Sequence, residues 1–519
     1  MVVDGTLGYS TAAIKIALCN MGCGSSDCST CATNNGGVVR LGQNCNTKPC
    51  TTGQQVIQLG QNDKIYIPSN TVLDLGGNIL EFESSGTSCP PSINGFAPMI
   101  QMLSPTGGPV PSITGVLAVA NSTEGSSSIT IAANSFVSTG LAAGQLCQLN
   151  NMYVDGAPSV NYNSGADGTG AQMIKVLTFT NSSGVITFRP PLIGAWGNPA
   201  NPTYVGTISC YTAASIVSNA GLINGGIMAG GNCQATQSAL VYAQGFTNLL
   251  ISDIQMSGTW GGAVPSGYGI VLLNGLDSTV RRISAVGLSG SAGFGITPKT
   301  VGNSLFQEIR FESSVLTYGM YMRNLHHSTI DGLTSVDSSA ALAAMPATYC
   351  IFRDVVITHT PTSASTGAVQ TMSRARSNVF DGLTVSGGSE CPIDLGSSGD
   401  SYNQFRGLSL HNNNNQGPCI AAGSIGNYFD GDIDASPASN GNAATSGPID
   451  YYALNAFRAP LNADGFSRTI VHNTTMASTD FVQNRMLGFS FSGSGVGSNI
   501  VLQMIGADGV VRKILQAMS

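Results

Sequence analysis

Ile251-Ser252-Asp253-Ile254-Gln255-Met256, Val280-Arg281-Arg282-Ile283, Phe306-Gln307-Glu308-Ile309-Arg310-Phe311, Ile330-Asp331-Gly332-Leu333, Phe352-Arg353-Asp354-Val355-Val356-Ile357, Phe380-Asp381-Gly382-Leu383-Thr384-Val385, Phe405-Arg406-Gly407-Leu408-Ser409-Leu410 and Phe429-Asp430-Gly431-Asp432-Ile433 are eight versions of one short pattern. Each has an apolar residue, two mostly polar or glycine positions and, save in the last, a second apolar residue, usually followed after a spacer by a third. The copies start at 251, 280, 306, 330, 352, 380, 405 and 429, so successive copies are 22 to 29 residues apart. A loose period with strand-like units and no helical spacing inside them is the mark of a β-solenoid.

Strands in such a stack lie about 4.8 Å apart, so equivalent residues of successive coils sit over one another. The first apolar column then becomes an interior ladder ending in Phe352, Phe380, Phe405 and Phe429, whose rings can stack. Gly332, Gly382, Gly407 and Gly431 fall two positions later, where a corner between two short strands favours positive φ. A second strand precedes several copies by about ten residues: Gly269-Ile270-Val271-Leu272, Gly295-Ile296-Thr297 and Gly319-Met320-Tyr321-Met322.

Composition agrees. Charged residues make up 9% of the chain, against about 25% in an ordinary globular domain. The 66 glycines supply turns, and a 42% hydrophobic share is enough for a continuous core. The formal net charge of −7 is spread thinly without a basic cluster, which argues against nucleic acid as a partner. A hydroxyl-rich polymer suits such a surface better. No run reaches 18 apolar residues, so no membrane span is expected. The first 20 residues do not read as a signal peptide, since Asp4 precedes Lys15 and no apolar core follows a basic start. Either removal of an upstream piece or release by another route, such as lysis, is therefore expected.

At the beginning, Thr11-Ala12-Ala13-Ile14-Lys15-Ile16-Ala17-Leu18 predicts a short helix capped by Ser10 or Thr11. Strands are expected at Gly36-Gly37-Val38-Val39-Arg40-Leu41 and on both sides of the Pro68-Ser69-Asn70 turn. The run Asp4-Gly5-Thr6 … Thr11-Ala12-Ala13-Ile14 … Gly36-Gly37-Val38-Val39 … Ile67-Pro68-Ser69-Asn70-Thr71 … Leu73-Asp74-Leu75-Gly76-Gly77 resembles the opening of pectate-lyase-superfamily β-helix proteins, a group that includes many bacteriophage tailspikes. The resemblance implies an all-β, right-handed parallel β-helix whose short N-terminal helix caps the first coil. It also implies a virion tail protein, assembled in the host cytoplasm and acting outside the cell. Its partners would be a host surface glycan (capsule, lipopolysaccharide or exopolysaccharide), two further copies in a homotrimer, and a tail adaptor or baseplate protein at the N-terminal end. Polysaccharide cleavage is an open expectation. A binding-only fibre or adhesin and a free secreted lyase or hydrolase are the alternatives. Neither the Asn-Thr-Asp nor the Gly-His-Gly motif of polygalacturonases is present, and the calcium-and-arginine site of pectate lyases has no residue-by-residue counterpart.

The expected organisation is an N-terminal cap with a Cys-rich loop (1–50), first coils (51–112), a β-rich insertion (113–212), the main β-helix (213–440) and a C-terminal β cap or trimerisation region (441–519). In the Cys-rich loop, Cys28-x2-Cys31 with Cys45-x4-Cys50 suits either a four-thiolate zinc site or disulfides and free thiols bracing a loop. No other cofactor is expected. In the insertion region, Tyr153, Tyr162, Trp196 and Tyr204 suit sugar stacking or half-buried packing.

Three groups of polar residues stand out. The column Arg281, Gln307, Asp331, Arg353, Asp381, Arg406, Asp430 alternates in sign and predicts a structural ion-pair ladder. Glu312, Asp337 and His359 follow the third apolar position of three consecutive copies, so they could converge as a catalytic acid and base for glycoside hydrolysis. Lys299, Arg323 and His326 follow the preceding strands and could bind a uronate carboxylate of a substrate or help a lyase abstract a proton.

Overall fold

The computed structural model describes residues 2–3, 11–23, 36–42, 56–59, 64–82, 96–103, 113–114, 118–119, 122–133, 141–150, 152–153, 171–196, 206–212, 215–231, 237–260, 267–288, 293–312 and 318–336. It also describes 342–358, 369–371, 375–386, 393–395, 402–411, 420–422, 427–434, 449–451, 456–458, 461–462, 470–472, 485–486, 501–505 and 511–516. The chain divides into two units: Met1–Leu333 with Ala347–Cys350, and Thr334–Pro346 with Ile351–Ser519. Both are built of parallel ladders wound as a right-handed β-helix.

In the first unit the helix Thr11–Cys23 is longer than the predicted Thr11–Leu18. Ile14, Ala17 and Leu18, spaced i, i+3, i+4, are buried, while Ile16 on the other face is exposed. One ladder then runs in register through Val39, Leu73, Leu222, Ile251, Val280 and Phe306. All six are fully buried, which makes them the predicted interior column. The second ladder runs through Ile65–Tyr66, Phe96–Met102, Gln237–Thr247, Gly267–Leu276, Gly293–Gly302 and Tyr318–His326.

The corners differ from expectation in an informative way. Gly332, Gly382 and Gly407 do take positive φ (72°, 79°, 59°), but earlier coils place Asn224, Asp253, Arg282 and Glu308 at the same bend (62°, 60°, 49°, 53°). The register skips this residue in each rung, pairing Ile223 with Ser252 and then Gly225 with Ile254. The bend is therefore set by the ladder. Where glycine is missing, an L-residue bears the left-handed cost of roughly 1–2 kcal/mol. The ion pair also closes one position along from the predicted column. Arg282 grips Asp253 at 2.5 and 2.7 Å, while Arg281 donates to the Ser252 hydroxyl and Gln307 to Asp331. The Arg282 guanidinium holds the Asp253 carboxyl down at about 2.

Between Thr114 and Cys210 the chain leaves the coils and forms a seven-stranded sheet with antiparallel pairing, in the order Ile113–Thr114, Thr207–Cys210, Leu146–Asn150, Gln172–Thr180, Val185–Arg189, Ser128–Ile131, Ala118–Val119. Ile174, Val176, Ile186, Phe188 and Trp196 fill its core. Cys147 and Cys210, directly opposite on neighbouring strands, form a disulfide. The coils resume in register across this excursion, with the Asn70 N–H donating to the Ser218 carbonyl at 2.7 Å.

In the second unit Phe352, Phe380, Phe405 and Phe429 stack at centroid distances of 4.2, 4.4 and 5.0 Å, nearly parallel and buried, as the spacing predicts. Beside them Asn378, Asn403 and Asn427 form a buried amide ladder: the Asn403 side chain accepts from Asn378 at 2.9 Å and donates to Asn427 at 3.1 Å. The coils do not stop near 440. Parallel pairing continues through Ile449–Tyr451, Ala456–Arg458, Ile470–His472 and Arg485–Met486. The apolar triplet that marks earlier coils has faded there, which is why the sequence hides them. Val501–Ile505 and Val511–Gln516 close the chain as an antiparallel pair.

Candidate functional site: an aromatic face beside an inserted sheet

The second ladder of the first unit turns a row of aromatic rings outward. In Tyr268-Gly269, Phe294-Gly295 and Tyr318-Gly319 the aromatic side chains are in register from strand to strand. The glycines face the core: a Cβ on Gly269 would meet Met256 Sδ at 2.9 Å, and one on Gly295 would meet the Phe311 ring at 2.3 Å. The large core residues opposite leave room only for glycine, and the alternation of a strand then sends the preceding ring outside. Tyr268 stacks on Phe294 at 4.7 Å, Phe294 meets Tyr321 at 4.9 Å, and Tyr321 stacks on Tyr318 at 5.2 Å. Tyr268 and Tyr318 form the buried floor, while Phe294 and Tyr321 are half-exposed. Burial raises the Tyr318 phenol, so it stays protonated as a hydrogen-bonding group.

Cations border these rings. Lys299 and Arg323 are register partners on adjacent strands, and the Arg323 guanidinium lies 5.6 Å from the Tyr321 ring centre. Among the described residues, the buried Gln101 Nε2 and Thr297 Oγ1 meet no hydrogen-bond partner. Two of the three predicted substrate-binding residues, buried Lys299 and half-buried Arg323, are thus neighbours in this ladder. The third, His326, is fully buried, and its Nε2 accepts the Met173 N–H of the inserted sheet at 3.2 Å. Burial, with His327 next to it, holds this imidazole neutral, so it fastens the insertion and does not face a ligand.

The insertion is fixed at this corner by several independent contacts. Arg189 pairs with Asp277 through both nitrogens, at 3.2 and 2.9 Å. Asn324 donates to the Ala171 carbonyl, and Asn274 donates to the Tyr211 hydroxyl at 2.8 Å. Leu146, Met173 and Tyr211 pack on Leu276. Trp196 is buried in the inserted core with Nε1 donating to the Thr207 carbonyl, so packing is its role. Of the proposed catalytic group, Glu312 ends its strand and is ion-paired with Arg310 at 2.6 Å. Asp337 and His359 lie outside the described residues, as do Tyr162, Tyr204 and all four expected metal ligands, Cys28, Cys31, Cys45 and Cys50. Cys19, in the helix just before that loop, is disulfide-bonded. Among the described residues no cluster suits a metal ion, and no helix is long and apolar enough to cross a membrane.

The aromatic face was within reach of sequence reading, because the aromatic-glycine pair recurs at 268, 294 and 318 beside strands already recognised. The contacts of the insertion carry no such signal: Met173 and His326 are 153 residues apart.

No family model and no curated protein matches the sequence. Among solved structures, the chain is similar to the tailspike protein gp49 from Pseudomonas phage LKA1 (TM-score 0.40, 11% identity, covering 85% of this chain and 68% of that one). It is similar also to the Gp54 tailspike of Acinetobacter baumannii bacteriophage AP22, solved with A. baumannii capsular saccharide (TM-score 0.34, 9% identity, 84% and 74% covered). A third is the A-module of the Azotobacter vinelandii mannuronan C-5 epimerase AlgE6 (TM-score 0.37, 9% identity, 95% and 97% covered).

Proposed function

We propose that this chain is a glycan-binding β-helix of the bacteriophage-tailspike kind, a virion tail component that attaches to polysaccharide on the host surface. The carrying observation is the half-exposed pair Phe294 and Tyr321, backed by buried Tyr268 and Tyr318 and bordered by Arg323 and Lys299. Sugar rings present C–H faces that stack on aromatic rings, while hydroxyl and carboxylate groups take hydrogen bonds from guanidinium and ammonium groups. Adjacent coils are about 4.8 Å apart, close to the length of one pyranose ring, so an extended glycan can keep step with the coils. On this reading the working form is a homotrimer held on the particle by an adaptor at the N-terminal end.

The test is retention of the purified protein on immobilised capsular polysaccharides, lipopolysaccharide O-chains and exopolysaccharides of candidate hosts. Tyr321→Ala and Phe294→Ala should each weaken retention about tenfold, from the loss of ~1.4 kcal/mol of stacking and cation–π energy. Retention by none of the glycans, or variants that bind like the parent, would remove the proposal. Mass in solution tests the trimer separately.

A further inference from the structure

Register partners in a parallel ladder point to the same side of the sheet, so they form columns that run across the strands. Gln101, Tyr242, Val271 and Thr297 are such a column, in register on four successive strands of the second ladder. It lies alongside the aromatic row. Tyr242 and Val271 pack in one cluster with Tyr268, and the half-buried Leu273 and Phe294 pack against that cluster. All four members of the column are buried.

The two ends of this column are polar where apolar residues would suit the place better. Thr297 has no exposed surface and Gln101 is 6% exposed, yet among the described residues Thr297 Oγ1 and Gln101 Nε2 meet no hydrogen-bond partner. Buried polar groups in native folds are nearly always bonded, because an unbonded one loses its water and gains nothing in return. Valine would fill the place of Thr297 without that loss, as Val271 does on the strand beside it. A polar group kept in an apolar column points to a bond made with something outside the chain.

The chemistry of that partner follows from the donors and the walls. An amide nitrogen of glutamine can only donate, and a threonine hydroxyl is able to, so the column offers protons at both ends and asks for acceptors. The walls around Thr297 are apolar: Val271 opposite it in the ladder, and Leu273 and Phe294 on the same face. A sugar hydroxyl placed among them would leave its own proton unbonded. A carbonyl that carries a methyl group has no proton to leave unbonded, and its methyl is buried against the same side chains. On glycans that group is the acetyl, borne on nitrogen or on oxygen.

We propose that the Thr297 hydroxyl donates to the carbonyl oxygen of an acetyl group on the bound polysaccharide, so that the aromatic face selects acetylated sugars; this rests on the glycan reading of that face. The sugar ring lies on Phe294 and Tyr321, its acetyl turned inward to Thr297 and its other substituents toward Lys299 and Arg323. Since Thr297 is covered, the half-exposed Phe294 and Tyr321 rings swing aside to admit the acetyl, a side-chain rearrangement common at binding surfaces.

The test takes the full chain and every polysaccharide of the retention panel that binds it. Each polymer is presented native, stripped of O-acetyl by mild alkali, and N-deacetylated, with a re-acetylated sample to control for the amine charge. Loss of the recognised acetyl should weaken retention of the parent about tenfold, from one hydrogen bond and one buried methyl, and re-acetylation should restore it. Whichever treatment weakens retention tells N-acetyl from O-acetyl. Thr297→Val keeps the shape and removes the hydroxyl. It should lose most of the preference for the acetylated polymer, while denaturant unfolding shows no loss of stability, because no bond within the chain is broken. Thr297→Ser keeps the hydroxyl and should keep the preference. Binding only to polymers without acetyl groups, equal retention of native and stripped polymers, or an undiminished preference in Thr297→Val overturns the inference and leaves the glycan reading standing. So does a Thr297→Val that unfolds more readily than the parent, which would show the hydroxyl to be bonded within the fold. Retention by no glycan at all sinks both readings.

Discussion

The coils of Leu250–Glu312 and those of Ile351–Asp434 share one rung geometry and fill it differently. In the second stretch the interior repeats itself, ring on ring and amide on amide. In the first, the same column mixes Ile251, Val280 and Phe306, and the corner ladder is made of serines: Ser278 N–H donates to Ser304 Oγ and Ser304 N–H to Ser328 Oγ, both at 3.1 Å. The outward faces reverse the contrast, since the aromatic row and the inserted sheet belong to the unit that contains the first stretch. Where the interior is built from identical stacked units, repetition itself supplies the stability. Where the outside must hold an insertion and a row of aromatic rings, each interior position is fitted to a particular neighbour, as Gly295 is to Phe311.

The largest test of this contrast is Phe380→Ala, which removes a ring stacked on both sides and should cost about 3–5 kcal/mol in denaturant unfolding. Ile251→Val in the mixed column should cost about 1 kcal/mol. Cost for cost equality after allowing for size would mean that stacking adds nothing. Next is Asn403→Ala, which leaves the Asn378 N–H and the Ala375 carbonyl without their bonds and should cost about 2–3 kcal/mol. Ser304→Ala should cost about 1 kcal/mol, and the reverse order would break the comparison.

A subtler difference lies in acid. The folded state holds His327 at about 4, below its ordinary 6.5. Stability from keeping it neutral is complete above 6.5 and declines as pH falls toward 4, because the unfolded chain binds the proton first. His326 shifts in the same direction, with His327 and Met173 as its neighbours. Protection of the Met173 amide, its exchange rate relative to the intrinsic rate at the same pH, should therefore fall as pH drops from 6.5 to 4, and His327→Asn should flatten that dependence. Unchanged protection across the window would detach the insertion from histidine chemistry. The smallest effect is at the exposed Asp253–Arg282 pair, whose contribution fades as pH falls from about 4 to 2. Solvent and salt screen it, so Arg282→Ala should matter little.

What the sequence revealed follows the same division. Phe352, Phe380, Phe405 and Phe429 were legible because the pattern repeats a single residue at a steady interval. Lys299 and Arg323 were legible as a pair because strand register is local arithmetic. His326 was misread, since its neighbour Met173 comes from a sheet whose place over the coil has no mark in the pattern. Corner residues such as Arg282 escaped because a ladder can force onto an ordinary residue the bend that propensity reserves for glycine.

The inserted sheet departs and returns at one spot on the column, where Ser69 and Asn70 bond directly to Ser218 and Asn219. Such a seam makes the insertion an exchangeable cassette: an unrelated module of any length with adjacent ends can be spliced there while the coils above and below keep their register. Variation in the exposed module can then be acquired by replacement of one block, with the stacked column inherited unchanged.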